Sequence, residues 1–341
     1  MKTPTNQATR RTSSGNPAIP LDRRLSIAPM MDWTTTEFRY LLRLITRHTL
    51  LYTEMVVAQA VIHGHRERLL KFDVAEHPVA LQLGGSDPTL LAEAALIAED
   101  YGYDEINLNV GCPSDRVQQG KIGAVLMAEP ALVAECVAAM QQAVKVPVTV
   151  KTRIGIDDRD DYAFLHSFIE RVAAAGCHTF IIHARKAILK GLSPKENREI
   201  PPLIYARAHA IKQDFPDCEI LLNGGVKSLA EVREHLGQVD GVMIGREAYQ
   251  NPWFLACADT EIFGATSNPL TRQMDVIEAF MPWLEQRHAE GMPVSLALRH
   301  LLGLFQGLPG ARQFRRHLSE HMHKQDARPA LLREAARLIL P

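Results

Sequence analysis

Short apolar runs recur along the chain from Leu25, each cut off by Gly, Pro or a polar residue. They are Leu25–Met30, Leu50–Met55, Val79–Leu83, Ile106–Val110, Val146–Thr152, Thr179–His183, Glu219–Asn223 and Gly241–Gly245. Between most of them the apolar positions change to helical spacing. Phe38, Leu41, Leu42 and Ile45 share one face of a helix expected over 35–46, and Leu132, Val133, Val137 and Met140 one face of a helix expected over 130–144. Further helices are expected over 89–101, behind the capping pair Asp87-Pro88, and over 162–175, 203–214 and 228–236. Continuous apolar strands are what a sheet covered on both faces requires. Eight of them alternating with helices predict an α/β chain built as a (β/α)8 TIM barrel, which takes ~250 residues. The interval 21–265 accommodates it.

Beyond Thr271 the strand pattern stops. Helical periodicity alone runs through 274–289, 294–305, 312–323 and 330–340, punctuated by Pro293, the Gly307-Leu-Pro-Gly310 turn and Pro329. A small all-α helical bundle is expected over 270–341. Residues 1–20 are rich in Thr, Ser, Asn, Pro and Arg and nearly free of large apolar side chains, so a mobile tail is expected there.

Composition narrows the function classes. Of 341 residues, 46% are hydrophobic and 23% charged, which is ordinary for a soluble enzyme. A net charge of -1 means that any surface for a polyanion must be local. Five Cys, at 112, 136, 177, 218 and 257, show no CxxC and no paired spacing. That argues for a reducing compartment and against a disulfide frame or a zinc cluster. His317 and His321 stand four apart without a third ligand, so no metal is expected. No apolar run approaches the ~20 residues of a membrane span, and a cytoplasmic protein is expected.

Chemistry in such a barrel sits at the carboxyl ends of the strands. Standing there are Pro29, Met30 and Met31 after the first strand, Gln82 on the third, Asn109 and Cys112 on the fourth, and Lys151 on the fifth. His183 ends the sixth, Asn223-Gly224-Gly225 the seventh and Gly245-Arg246 the eighth. Glycine-rich turns after strands seven and eight form the usual phosphate site of the fold, where backbone N–H groups approach an anion. A phosphate-tailed cofactor anchored there would lay its ring over the barrel mouth. Lys151 and His183 would face that ring, Gln82 its pyrimidine edge, and Pro29-Met30 would pack against it. A cation beside the N1–O2 edge of a flavin stabilises its anionic reduced form. On the fourth strand, Gly111 and Pro113 hold the Cys112 thiol at a strand end, and Asn107 and Asn109 point to the same side.

With these residues in place, the chain resembles the tRNA-dihydrouridine synthases, most closely their A-type subfamily. The resemblance is carried by Ala28-Pro-Met-Met-Asp-Trp33, Leu81-Gln-Leu-Gly-Gly85, Asn107-Leu-Asn-Val-Gly-Cys-Pro-Ser-Asp-Arg116 and Val150-Lys-Thr-Arg-Ile-Gly155. It continues through Ile182-His-Ala-Arg-Lys186, Leu192-Ser-Pro-Lys-Glu-Asn-Arg198, Asn223-Gly-Gly225, Ile244-Gly-Arg246 and, in the tail, Gly310-Ala-Arg-Gln-Phe-Arg-Arg316. It implies an FMN enzyme that uses NADPH to reduce the C5–C6 bond of uridine in the D loop of tRNA, at positions 20 and 20a. FMN would contact Pro29, Met30, Met31, Gln82, Lys151, His183, Asn223, Gly224, Gly225, Gly245 and Arg246. Hydride would pass from the reduced flavin to C6, Cys112 would give the proton to C5, and Asn109 would contact the target nucleotide, swung out of the RNA.

The RNA surface expected from charge comprises Lys186, Lys190, Lys195 and Arg198 after the sixth strand and Arg312, Arg315 and Arg316 on one helical face of the tail. Two other readings stay open on the sequence. One is a flavin-dependent dehydrogenase of a free pyrimidine, of the dihydroorotate or dihydropyrimidine type, which would need neither the tail nor the basic loop. The other is a tRNA-binding protein whose barrel has lost its chemistry.

Overall fold

A computed structural model describes residues 21–114, 118 and 120–339. The expected N-terminal tail, together with Asp115, Arg116 and Leu340 of the motifs and helices above, lies outside the described residues. Eight parallel strands close into a barrel in sequence order: β1 (Leu25–Ile27), β2 (Leu50–Val57), β3 (Val79–Gly84), β4 (Glu105–Val110), β5 (Val148–Arg153), β6 (Thr179–His183), β7 (Glu219–Asn223) and β8 (Gly241–Ile244). The ring closes where Ser26 of β1 stands opposite Met243 of β8.

The two-residue period of a strand sorts its side chains. Val79, Leu81 and Leu83, Ile106, Leu108 and Val110, and Val148 and Val150 join the shell packed under the helices. Ala80, Tyr52, Ile181, Leu221 and Met243 form a separate apolar knot in the lumen. Apart from Ala80, the inward positions of β3, β4 and β5 are polar instead: Gln82, Glu105, Asn107, Asn109, Thr149 and Lys151. The fold therefore carries a polar stripe up one inner wall.

The helices follow the local chemistry. Helix Pro88–Tyr101 starts where the Asp87 carboxylate accepts the N–H groups of Thr89 and Leu90, with Pro at its first position, and ends at Gly102 in the left-handed region. Two short helices, Ala58–His63 and Arg66–Leu70, connect β2 to β3. Neither is expected from the sequence, because only Ala58, Val61 and Leu70 are buried in them and so few positions establish no period. β5 begins at Val148 rather than Val146, after Pro147, which has no N–H for a ladder.

The tail is all helical. Helix Gln273–Ala289 packs Val276, Ile277, Phe280 and Leu284 into a cluster shared with β1, β8 and helix Thr36–Ile45. Tyr40 stacks on Trp283 across that junction, with ring centroids 4.7 Å apart. Helices Val294–Leu298, Ala311–His321 and Ala330–Ala336 complete the bundle, the first and last shorter than their apolar patterns. No described helix is long and apolar enough to cross a membrane.

Candidate active site

The polar stripe ends at Cys112. Asn109 is 8% exposed, and its side-chain oxygen accepts the N–H groups of Gly111 (3.1 Å) and Cys112 (2.9 Å). Its Nδ2 donates to Gln82 Oε1 at 2.7 Å, and Gln82 Nε2 donates to Asn107 Oδ1 at 2.8 Å. Asn107 Nδ2 in turn donates to Thr149 Oγ1 at 2.8 Å. The amide pair on β4 thus finds its partners within the protein. Gly111 and Cys112 remain partly accessible while Pro113 is buried, so the turn is anchored from below and open above. The Cys112 carbonyl accepts the N–H of Ala124 at 2.9 Å, tying the far side of the turn to the chain beyond it.

Lys151 and Arg153 lie close enough to the thiol to feel a charge on it, and His183 lies beside both of them. Lys151, opposite Asn109 in the β4–β5 register, is pushed down to about 7 by burial, with Arg153 adding repulsion and Cys112 opposing it. His183 is 8% exposed and held well below the ordinary imidazole range by burial and by Arg153, Lys151, Arg185 and Arg198, which favours its neutral form. No carboxylate is among the groups that shift either residue. Arg153 is structural as well. Its Nε donates to the Gly111 carbonyl at 2.9 Å and one terminal nitrogen donates to the carbonyls of Lys186 and Asn197, at 3.1 and 3.0 Å. One buried guanidinium thereby joins the Cys112 turn to the loop after β6.

Asn223 ends β7 beside His183, and its Nδ2 donates to the Met243 carbonyl at 2.7 Å. Gly224 and Gly225 follow at φ 115° and 81°, a conformation that favours glycine. A Cβ on Gly224 would also lie 2.6 Å from His183 Cδ2. Gly245 follows β8 with no tight contact, and a Cβ there would meet Ala28 at 3.7 Å. Arg246 is partly buried and donates to Glu199 Oε1 at 2.9 Å and to the Arg198 carbonyl at 3.2 Å. Pro29 and Met30 are half-buried at the mouth, whereas Met31 is 58% exposed.

The basic residues expected to meet RNA differ in their surroundings. Lys186 is engaged by the acidic loop after β5, donating to the Asp157 carbonyl at 2.9 Å and pairing with Asp160 at 3.0 Å. Lys190 and Arg198 are exposed on the loop after β6. Arg312 and Arg315 lie exposed on helix Ala311–His321, away from its buried Phe314 and Leu318, and Arg316 faces Glu320 at 3.9 Å. Two clefts of about 260 and 330 Å³ lie elsewhere, one between helix Thr36–Ile45 and the tail, the other within the tail beside Lys324 and Arg328.

Sequence reasoning passed over several groups that build this site. Glu105 and Thr149 lie fully buried beneath the amides, and Asn197 pins the β6 loop by accepting the Ile188 N–H at 2.7 Å. Glu199 is the partner of Arg246. A carboxylate in a lumen needs a cation, and Arg23 supplies it to Glu105 at 2.6 Å.

The family model described as Dihydrouridine synthase (Dus) matches residues 26–339. A tRNA-dihydrouridine(20/20a) synthase of Salmonella typhi is 59% identical over 93% of this chain and 95% of its own length. One from Vibrio cholerae is 60% identical over 89% and 93%, and one from Pseudomonas aeruginosa 57% over 91% and 93%. Among solved structures, that of TcOYE with pHBA superposes with a TM-score of 0.52 at 12% identity, covering 70% of this chain and 88% of that one, a likeness of fold. The Cys112 turn, the polar stripe below it and the glycine turns beside it therefore stand in a chain that belongs to the dihydrouridine synthase (Dus) family.

Proposed function

We propose that this chain is a flavin-dependent tRNA-dihydrouridine synthase that reduces the C5–C6 double bond of uridines 20 and 20a in the tRNA D loop, with FMN as cofactor and NADPH as reductant. The observation that carries the reading is the pairing of a fixed, accessible thiol with a cluster of basic groups that no carboxylate offsets. Arg153 is charged, and an anionic ring or phosphate tail would restore the charge that burial costs Lys151, so the cluster suits such a ligand. Pro29, Met30, Met31, Gln82, Lys151 and His183 would hold the ring, and Asn223, Gly224, Gly225, Gly245 and Arg246 the phosphate. The flavin, when bound, supplies the hydride that C6 of the uracil takes up.

The remaining work falls to the protein. Charge developing toward O4 and C5 is stabilised by cationic and amide donors aimed at the pocket. Cys112 gives its proton to C5, a general-acid contribution of typically 10²–10⁴-fold. Asn109 sits beside that thiol, where it meets the flipped-out nucleotide. The exposed Lys190, Arg198, Arg312 and Arg315 contact phosphates, and Lys186 joins them once released from Asp160.

The test is to map dihydrouridine in tRNA from a strain lacking this protein and from the same strain complemented with it. Loss at 20 and 20a restored by the gene supports the proposal. Unchanged dihydrouridine at both positions overturns it. Activity on free uridine matching that on tRNA would favour the free-pyrimidine dehydrogenase instead.

A further inference from the structure

The hydrogen bonds below Cys112 form one chain with a single direction. The Cys112 N–H donates to Asn109, Asn109 to Gln82, Gln82 to Asn107 and Asn107 to Thr149. The Thr149 hydroxyl then donates to Glu105 Oε1 at 2.7 Å. Glu105 is fully buried and held by Arg23 at 2.6 Å and by the Tyr52 hydroxyl.

A carboxamide in isolation can sit either way round, because its oxygen and nitrogen are nearly the same size. In this chain neither end permits the alternative. A carboxylate paired with arginine only accepts, and a backbone N–H only donates. Reversing any one amide would put two donors or two acceptors face to face, and the conflict passes along the chain until it reaches one of those ends. We infer that Glu105 and Thr149 are positioning residues, and that the acceptor at the base of the barrel sets the orientation of three amides and so the corner that carries the Cys112 thiol.

This inference deepens the role given to Cys112 and rests on it for its effect on reduction, but not for the relay itself. Two consequences follow for the cofactor face. Gln82 Oε1 accepts from Asn109 and one Nε2 hydrogen goes to Asn107, so the donor Gln82 retains for a ring carbonyl is its second N–H. Asn109 likewise keeps one Nδ2 hydrogen for the nucleotide. Both donors are aimed by a hydroxyl and a carboxylate that touch neither ligand.

The experiment uses the full chain loaded with FMN and compares Thr149→Val with Thr149→Ser. Valine keeps the shape and removes the link; serine keeps the link. For Thr149→Val, kcat for dihydrouridine formation should fall on the order of tenfold to a hundredfold, the range expected when a reacting group is displaced, with KM for tRNA changed less than about twofold. The rate at which iodoacetamide alkylates Cys112, followed on the Cys112 peptide by mass spectrometry, should shift at least severalfold in the same variant. Thr149→Ser should restore both. Wild-type alkylation and kcat in Thr149→Val would overturn the relay, as would equal damage from serine and valine. A shifted alkylation rate with unchanged kcat would keep the relay and remove Cys112 as the acid, so the two readings fail separately. Should the valine chain not fold, side-chain amide hydrogen exchange in the wild-type protein decides. Slowed exchange at Asn107, Gln82 and Asn109 together supports the relay, and free-amide rates at any one of them overturn it.

Discussion

Asn109 Oδ1 accepts the N–H of Cys112 at 2.9 Å, three residues on, and that of Gly111 at 3.1 Å on the way. A side chain that closes a turn on its own backbone replaces the ladder partners that end with the strand. The thiol therefore leaves β4 at a set angle instead of continuing along the wall. Arg153 completes the corner from the other side through the Gly111 carbonyl. Cys112 is distinguished by this corner: Cys136, Cys177 and Cys218 are buried, with burial raising each of their thiols, and the exposed Cys257 lies beyond β8, on no strand end.

Cys112→Ala should separate the two halves of the reaction. Flavin content and NADPH oxidation should stay near wild type, because the thiol holds no part of the proposed phosphate or ring contacts. Dihydrouridine formation in tRNA should fall by about 10²–10⁴-fold, the loss expected for a missing general acid. Dihydrouridine yield per NADPH, measured by mass spectrometry of digested tRNA, checks this, and an unchanged yield removes Cys112 from the mechanism.

The flavin-free protein should show an unusual dependence of stability on pH. Lys151 is depressed from 10.5 to about 7 by burial, so between those values the unfolded chain holds a proton that the folded one has shed. Stability then rises with pH across that window, and below about 7 both states are charged and the full burial cost applies. His183, held neutral, acts on the acid side. As pH falls through 6.5 the unfolded imidazole protonates while the folded one does not, and stability is lost. Thermal unfolding between pH 5 and 10 measures both slopes. Lys151→Met should flatten the alkaline segment and leave the acid one, and an unaltered alkaline slope would mean that Lys151 is charged in the native barrel at neutral pH.

How far the site was legible in advance depended on where each residue falls in its strand. Gln82, Lys151, His183 and Asn223 interrupt or end apolar runs, and a polar residue there has few reasons to exist except a ligand or a turn. Gly224 and Gly225 announce themselves through a conformation that other residues avoid. Glu105 and Thr149 gave no such sign, because each sits at or near the start of its strand, where polar residues mean solvent as often as lumen. The β6 loop hid its logic for another reason. Arg153 reaches the Asn197 carbonyl and Glu199 pairs with Arg246 across long sequence separations, which periodicity cannot register. Charge counting placed Lys186 with the free cations, whereas Asp160, on a neighbouring loop, takes its ammonium.

Glu199→Gln should strengthen flavin binding through the phosphate alone. Glu199 occupies Arg246 at 2.9 Å, so a phosphate arriving at the β7 and β8 turns competes with that carboxylate. The pair is more than one-third exposed on both sides, and such pairs contribute about 0–1 kcal/mol. A gain of up to about fivefold in FMN affinity is therefore expected, measured by fluorescence quenching at low salt. Riboflavin, which lacks the phosphate, should bind both chains equally. An equal gain for riboflavin would place Arg246 away from the phosphate.

Replacing Arg312, Arg315 and Arg316 together by Ala should weaken tRNA binding in a salt-dependent way. Arg312 and Arg315 make no side-chain ion pair among the described residues, and Arg316 only a 3.9 Å approach to Glu320. Their removal should leave the fold intact, since the buried face of that helix is made by Ala311, Phe314 and Leu318. Each arginine–phosphate pairing abolished should lower the slope of log K against log salt by about 0.7–0.9, so the triple variant would flatten it by roughly two. Titrations at several salt concentrations give the slope directly. A variant with wild-type slope but weaker binding would show that these arginines act on the helix and not on RNA; a wild-type slope and wild-type affinity would move the RNA surface to the loop bearing Lys190 and Arg198.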